Sequence, residues 1–248
     1  MLGVPPKVLY LCREKRNTMA KKEFVKNMFN VIAPSYDRLN HILSLNVDKS
    51  WRRRAVQRIC REQPGKVLDV ACGTGDFAIA LANAGVSHIT GVDISEGMLE
   101  VGRQKVKALG LDIEMLVDDC ENLSFDEETF DAVSVAFGVR NFEHLQRGLD
   151  EMCRVLRKDG LLCIVELSVP SNKILLWGYK LYFMHVLPFI GGLLSGNRKA
   201  YNYLPASVLH FPKPDVVCRM LHEAGFREVE AKSFTFGLCR MFTGRKVG

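Results

Sequence analysis

The segment KVLDVACGTGDFA at residues 66–78 constrains the fold of this chain more than any other. Its first half is an apolar run of the length of one buried strand, and an Ala-rich helical pattern follows it as far as Ala84. Between them Gly73 and Gly75 occupy a turn so short that strand must pass almost directly into helix. Glycines at such a junction let the backbone approach a ligand closely, and the helix N-terminus faces the same space. A strand, turn and helix in this order form a unit of an α/β sheet, whose ligands lie beyond the carboxyl ends of the strands.

The alternation continues along the chain. HITGVD (88–93) reads as a second strand, then Ser95 as a cap and a helix carrying Met98, Leu99, Val101, Val106 and Leu109 to Gly110. DIEMLV, FDAVSVAF and LLCIVEL read as further strands, with a helix from Glu143 to Arg157 before an Asp159-Gly160 turn. Strands alternating with helices at this spacing predict an α/β fold with a doubly wound, mostly parallel sheet. Ahead of it, Phe24, Met28, Phe29 and Ile32 fit a short helix ended near Pro34, and Asp48 is placed to cap another bearing Trp51, Ala55, Val56 and Ile59. After Gly225 two β-runs read as an antiparallel hairpin added at the sheet edge. Residues 172–195 are the most apolar stretch, but Lys173, Lys180, His185 and Pro188 interrupt it, which argues against a membrane span. Lys173, Trp177, Lys180 and Met184 share a stripe at helical spacing, which suits a helix over the mouth of the site or one lying at a membrane interface.

Composition narrows the function. At 48% hydrophobic and 25% charged residues, the 248-residue chain is an ordinary globular protein and not a disordered one. A net charge of +6 suits an anionic membrane surface and is too small to argue for nucleic acid. The eight cysteines are scattered, with no CxxC pair and no ligand-spaced histidine. This favours reduced thiols over a disulfide framework and predicts no metal site. The N-terminus lacks a basic n-region, and REKR follows its short apolar run, so it does not read as a secretory signal. The expected location is cytoplasmic, and Met19 is an alternative start.

GTGDFA also satisfies the dinucleotide pattern GxGxx(G/A), so two ligands compete for the turn. A pyrophosphate wants helix-end N–H groups and no carboxylate nearby, whereas a cationic headgroup or sulfonium welcomes one. Asp69 and Asp76 flank the turn and favour the cation. Asp93, eighteen residues after Gly75, is placed to accept both ribose hydroxyls, although it is also a candidate helix cap. Asp119 and Cys120 follow the third strand, where an acid can accept from an adenine amino group and a backbone N–H can donate to the ring. The alternative there is an ordinary acidic surface turn.

Taken together, the DxACGTG turn, the acids ending the second and third strands and FDAV opening the fourth resemble the class I S-adenosylmethionine-dependent methyltransferases over residues 65–168. Over nearly its whole length the chain resembles a narrower family, the C-methyltransferases of menaquinone and ubiquinone biosynthesis. The matching segments are Tyr36-Asp37 with Asn40, Leu43-Ser44 and Trp51-Arg52; AFGVRNF at 136–142; Val165-Glu166 with Ser168; and Tyr201, Tyr203, Leu204, Pro205 and Ser207, followed by Phe211-Pro212. The resemblance implies a basic lead over 1–22 and one methyltransferase domain over 23–248. That domain divides into a helical preface (23–64), a cofactor-binding core (65–168), a substrate lid (169–212) and a C-terminal edge (213–248). S-adenosylmethionine is the implied cofactor, contacted by Asp69, Thr74, Asp93, Asp119 and Cys120, with Gly73 and Gly75 shaping the loop. Two departures stand out: Ala136 where many relatives carry Ser, and Asp118-Asp119-Cys120 in place of a Gly-Asp-Ala turn.

The implied reaction is methyl transfer to a prenylated demethylmenaquinol. A ring carbon becomes nucleophilic once a phenolic proton leaves, so the reduced quinol and not the quinone is the substrate. Charge cancels in the transition state, so a dry cavity favours the step. Arg140 is expected to stabilise the phenolate and Asn141 to bond a ring oxygen, both as catalytic residues, with Tyr36, Tyr201 and Tyr203 as substrate contacts. For Arg140 a plain surface ion pair is the alternative. No histidine is assigned as a base. The partners implied are the quinol and a transient membrane surface at its inner face, with a homodimer left open. A benzoquinol substrate, an NAD(P)-dependent quinone reductase and a membrane-docking adaptor without turnover stand as alternatives.

Overall fold

A computed structural model describes residues 21–170, 172–182 and 198–248. Three preface helices come first: α1 (Lys21–Ile32), α2 (Tyr36–Leu43) and α3 (Val47–Cys60). The core alternates β1 (Lys66–Val70), α4 (Asp76–Asn83), β2 (His88–Asp93), α5 (Glu96–Ala108), β3 (Ile113–Val117), β4 (Phe130–Ala136), α6 (Leu145–Val155) and β5 (Leu156–Leu167). Then follow α7 (Lys173–Leu181), α8 (Arg198–His210), α9 (Pro214–Glu223), β6 (Phe226–Phe234) and β7 (Cys239–Lys246).

The seven strands form one sheet in the order β3-β2-β1-β4-β5-β7-β6. β1 to β5 pair in parallel, and β7 enters antiparallel between β5 and β6. Each face carries its own core. Val67, Ile89, Ala132 and Cys163 pack with α3, α4 and α5 on one side, while Leu68, Val133, Leu162 and Phe242 pack with α6 and α9 on the other. The period-2 alternation of β1 assigns Asp69 to the face that Val67 shares with α3 and α4.

Strand order reverses between β1 and β4, and this is where the loops at their carboxyl ends must diverge and leave a crevice. The two loops nearly touch at its base. A Cβ at Gly138 would lie 2.6 Å from the Cβ of Ala71, so only glycine allows that approach.

Three local expectations change. Asp48 does not cap α3: Asn46 does, at φ 60°, and Asp48 sits inside the first turn, buried. The helix of residues 143–157 is shorter, α6 ending at Val155 where β5 begins. Asp159-Gly160 is then a kink within β5, with Asp159 at φ 61° and the β4 register shifting beside it. Leu109 is exposed, because α5 ends one residue before it. No described helix is long and apolar enough to cross a membrane. Among described residues seven cysteines are free, three of them buried; Cys12 and Met19 lie outside that range.

Candidate active site

A cavity of about 720 Å³ opens at the switch point, lined by the preface, the β1, β2, β3 and β4 loops, α7 and α8. That volume is in the range of small-molecule sites.

At one end, Gly73 adopts φ 57° and Gly75 φ 77°. This turns the Gly73 N–H toward Asp93, whose Oδ2 accepts from it at 2.9 Å, while Oδ1 accepts from the Ser95 N–H at 2.8 Å. Two backbone donors thus fix the carboxylate and leave its remaining lone pairs for a ligand. Burial still pushes the Asp93 pKa above the ordinary carboxylate value, against those same amides. The next loop brings Asp119 and Cys120 to the cavity wall. Asp118, standing where relatives have Gly, closes that loop by accepting from the Ser124 N–H at 3.0 Å and its hydroxyl at 2.9 Å. Asp119 is paired with Lys22 from α1, a partner that nothing in the sequence singled out.

Deeper in, Asp69 is fully buried. Ser134 donates to Oδ1 at 2.8 Å, and Oδ2 has no partner in the protein. Burial pushes its pKa up to about 7, so it is an acid poised near neutrality and not the fixed negative charge expected. Asp76 differs. Burial raises its pKa, but Arg52 and Lys105 together overcome that and leave it below the usual carboxylate value. Its charge is therefore balanced by Arg52 and Lys105, so Asp76 adds no net repulsion toward a diphosphate.

Asp76 belongs to a network that closes the cavity beside the glycine turn. Arg52 bridges Asp48 and Asp76, His41 Nδ1 lies 2.9 Å from Asp48, and Lys105 contacts Asp37 at 2.8 Å and Asp76 at 2.5 Å. The Thr74 hydroxyl donates to Asp37 at 2.5 Å, so this candidate cofactor contact is held by the preface. Asp37 and Arg52 carried a signal in the preface motifs; Lys105, on an exposed-looking helix, carried none.

At the other end stand the candidate catalytic residues. Arg140 is not a surface ion pair. Its side chain is 6% exposed, with NH1 2.7 Å from Oε1 of the fully buried Glu166, which also accepts from the Arg140 and Leu167 backbone N–H groups. The Arg140 Nε has no protein partner. A neutral ion pair thus replaces the lone fixed charge expected, and its second member, Glu166, stood in the sequence only as part of a matching segment with no role assigned. Asn141 Oδ1 accepts from the Tyr203 hydroxyl at 3.2 Å, joining the β4 loop to α8. Tyr36 lines the same space, its ring edge-on to Phe29, and burial raises its pKa while Arg140 lowers it. Tyr201 lies in α8 but its side chain is outside the described residues, as are Lys173, Lys180 and Met184 of the apolar stripe. His144 is 69% exposed and bonds Glu121, away from this cluster.

A model of the ubiE/COQ5 methyltransferase family matches residues 17–246. Demethylmenaquinone methyltransferase of Bacteroides fragilis is 45% identical over 93% of this chain and 95% of its own length. The ubiquinone/menaquinone biosynthesis C-methyltransferase of Geobacter sulfurreducens is 43% identical over 95% and 94%. Among solved structures, a SAM-dependent methyltransferase of Thermotoga maritima superposes with a TM-score of 0.64 at 20% identity, covering 89% of this chain and 99% of that one, a likeness of fold.

Proposed function

Since the chain belongs to the ubiE/COQ5 methyltransferase family, and so is an S-adenosylmethionine-dependent methyltransferase of quinone biosynthesis, we propose that it methylates a ring carbon of a prenylated demethylmenaquinol. A benzoquinol is the second reading, favoured by the relative whose name covers both quinones. One observation carries the proposal: a single cavity is lined both by a carboxylate pair, Asp69 and Asp93, suited to an adenosyl cation and by the Arg140, Asn141 and Tyr203 cluster.

The residues fit the cofactor. The Asp69 oxygen without a side-chain partner is a buried acceptor that would suit an ammonium or sulfonium, and Asp93 keeps lone pairs that its two backbone donors leave open and that would suit ribose hydroxyls. Asp69, Gly73, Thr74, Gly75, Asp93, Asp119 and Cys120 would hold it. When bound, S-adenosylmethionine supplies an electrophilic methyl group. The chain does the rest. The Arg140 Nε–H, desolvated and without a partner, donates to a quinol oxygen and favours its phenolate. Glu166 holds the guanidinium in place through its 2.7 Å ion pair. The Asn141 amide and the Tyr203 hydroxyl orient the ring, and Tyr36 borders it from α2. Trp51 and Phe137, with rings 6.2 Å apart, help exclude water from the wall between the two ends.

Labelled methyl donor offered with chemically reduced demethylmenaquinol, the oxidised quinone and a reduced benzoquinol tests this. Methyl should pass to the reduced naphthoquinol and not to the oxidised ring. Transfer to neither quinol, with calorimetry detecting NADH and not S-adenosylhomocysteine, would overturn it in favour of a reductase.

A further inference from the structure

We propose that the cavity rim is a docking surface for an anionic lipid bilayer, through which the prenyl tail passes from lipid into the site. The proposal rests on the prenylated substrate argued above. Leu45, Ile174 and Phe236 are 82%, 80% and 80% exposed, and all three line the cavity. Exposed apolar side chains scattered singly need no explanation. These come from three segments far apart in sequence and border one opening. Trp177, at 70% exposure, and Leu181 follow Ile174 on α7 at helical spacing and extend the same stripe outward.

The rim is built and not loose. Leu45 and Phe236 hold φ of 52° and 57°, a left-handed conformation that large side chains rarely adopt, and each presents its side chain to solvent there. The turn bearing Phe236 is fastened to α3: the Trp51 indole N–H donates to the Thr235 hydroxyl at 2.8 Å, and the Arg54 guanidinium lies 5.2 Å over the Phe234 ring. Leu45 precedes the cap residue Asn46 of α3, so both tips ride on one helix. Charge completes the match. The exposed side chains of α3 are Lys49, Arg53, Arg54 and Gln57, none of them acidic. Apolar tips flanked by cations suit the interface of a membrane bearing anionic headgroups.

The full chain would be sedimented with vesicles of phosphatidylglycerol and phosphatidylethanolamine, and with phosphatidylcholine alone. We expect binding to the anionic vesicles, weakened by salt and reduced at least fivefold in a Leu45→Asp, Phe236→Asp double variant that still binds S-adenosylhomocysteine as wild type does. The chain has two tryptophans, and Trp51 is already buried, so a blue shift of emission on adding vesicles reports Trp177. No binding to either lipid, or equal binding by the double variant, would overturn the proposal. So would a stable dimer by light scattering with Trp177 already blue-shifted before vesicles are added, since a second copy would then cover the rim. Methyl transfer to a short-tailed demethylmenaquinol in solution is scored separately: transfer without vesicle binding refutes the rim alone, and vesicle binding without transfer refutes the demethylmenaquinol reading alone.

Discussion

Asp93 and Asp69 are two carboxylates in one cavity, and their surroundings set them to different tasks. Asp93 is held by two backbone amides, so its geometry is fixed before any ligand arrives. Asp93→Ala removes hydrogen bonds to a charged acceptor and should weaken S-adenosylhomocysteine binding by about 1.5–3 kcal/mol in calorimetry. Unchanged affinity would remove Asp93 from the site. Asp69 accepts from the Ser134 hydroxyl, and burial lifts its pKa to about 7, above the ordinary carboxylate value of 3.8. With the folded pKa raised, the unfolded chain releases this proton first as pH rises. The stability contributed by the protonated form is complete below about pH 4 and is lost between there and pH 7. Asp69→Asn, neutral throughout, should therefore gain on wild type across that window, by roughly 4 kcal/mol in urea unfolding, and track it in parallel above pH 8. Parallel curves from pH 4 upward would mean that Asp69 ionises normally. The positions of both acids were legible from the strand-turn-helix pattern. Their electrostatics were not, because a pKa depends on which side chains fold over the site, and Ser134 and Arg52, which act on Asp69, come from elsewhere in the chain.

At the level of elements, the periodic core was legible and the junctions less so. Ser95 caps α5 as its position before an apolar-periodic run predicts, accepting from the Met98 N–H, and its own hydroxyl donates to Asn30 of α1 at 2.7 Å. Ser95→Ala should cost about 1 kcal/mol in denaturant unfolding through the lost cap. It should also lower cofactor affinity, because losing the cap and the bond to Asn30 loosens the backbone whose N–H holds Asp93. A stability loss with affinity untouched would separate the cap from the site. Asp48 was misplaced because Asp favours both a cap and a first helical turn, and the left-handed Asn46 took the cap. The α6 to β5 boundary slipped for a related reason. Asp159-Gly160 carries the turn signal, but pairing of Leu156 with Phe130 draws the chain into the sheet before that turn arrives, leaving a bulge.

Over the whole molecule, the cavity is the place where preface, core and lid meet. Its lining runs from Lys22 to Leu238 in sequence, with Thr74 tied to Asp37, Arg52 to Asp76 and Trp51 to Thr235 across those divisions. We therefore propose that residues 23–248 unfold as a single domain, since separating the preface would strip Arg52 from Asp76 and Asp37 from Lys105. A ligand binding only the folded form, at a hundred times its dissociation constant, adds about 2.7 kcal/mol to the unfolding free energy. For a chain of this size that is a rise of roughly 5–10 °C in Tm. S-adenosylhomocysteine should produce this shift in scanning calorimetry as one transition moving intact. Two transitions, with only the later one moving, would show that the preface folds apart from the cofactor-binding core. The contacts made by Asp37 and Arg52 would then be docking contacts between domains and not part of one cooperative site.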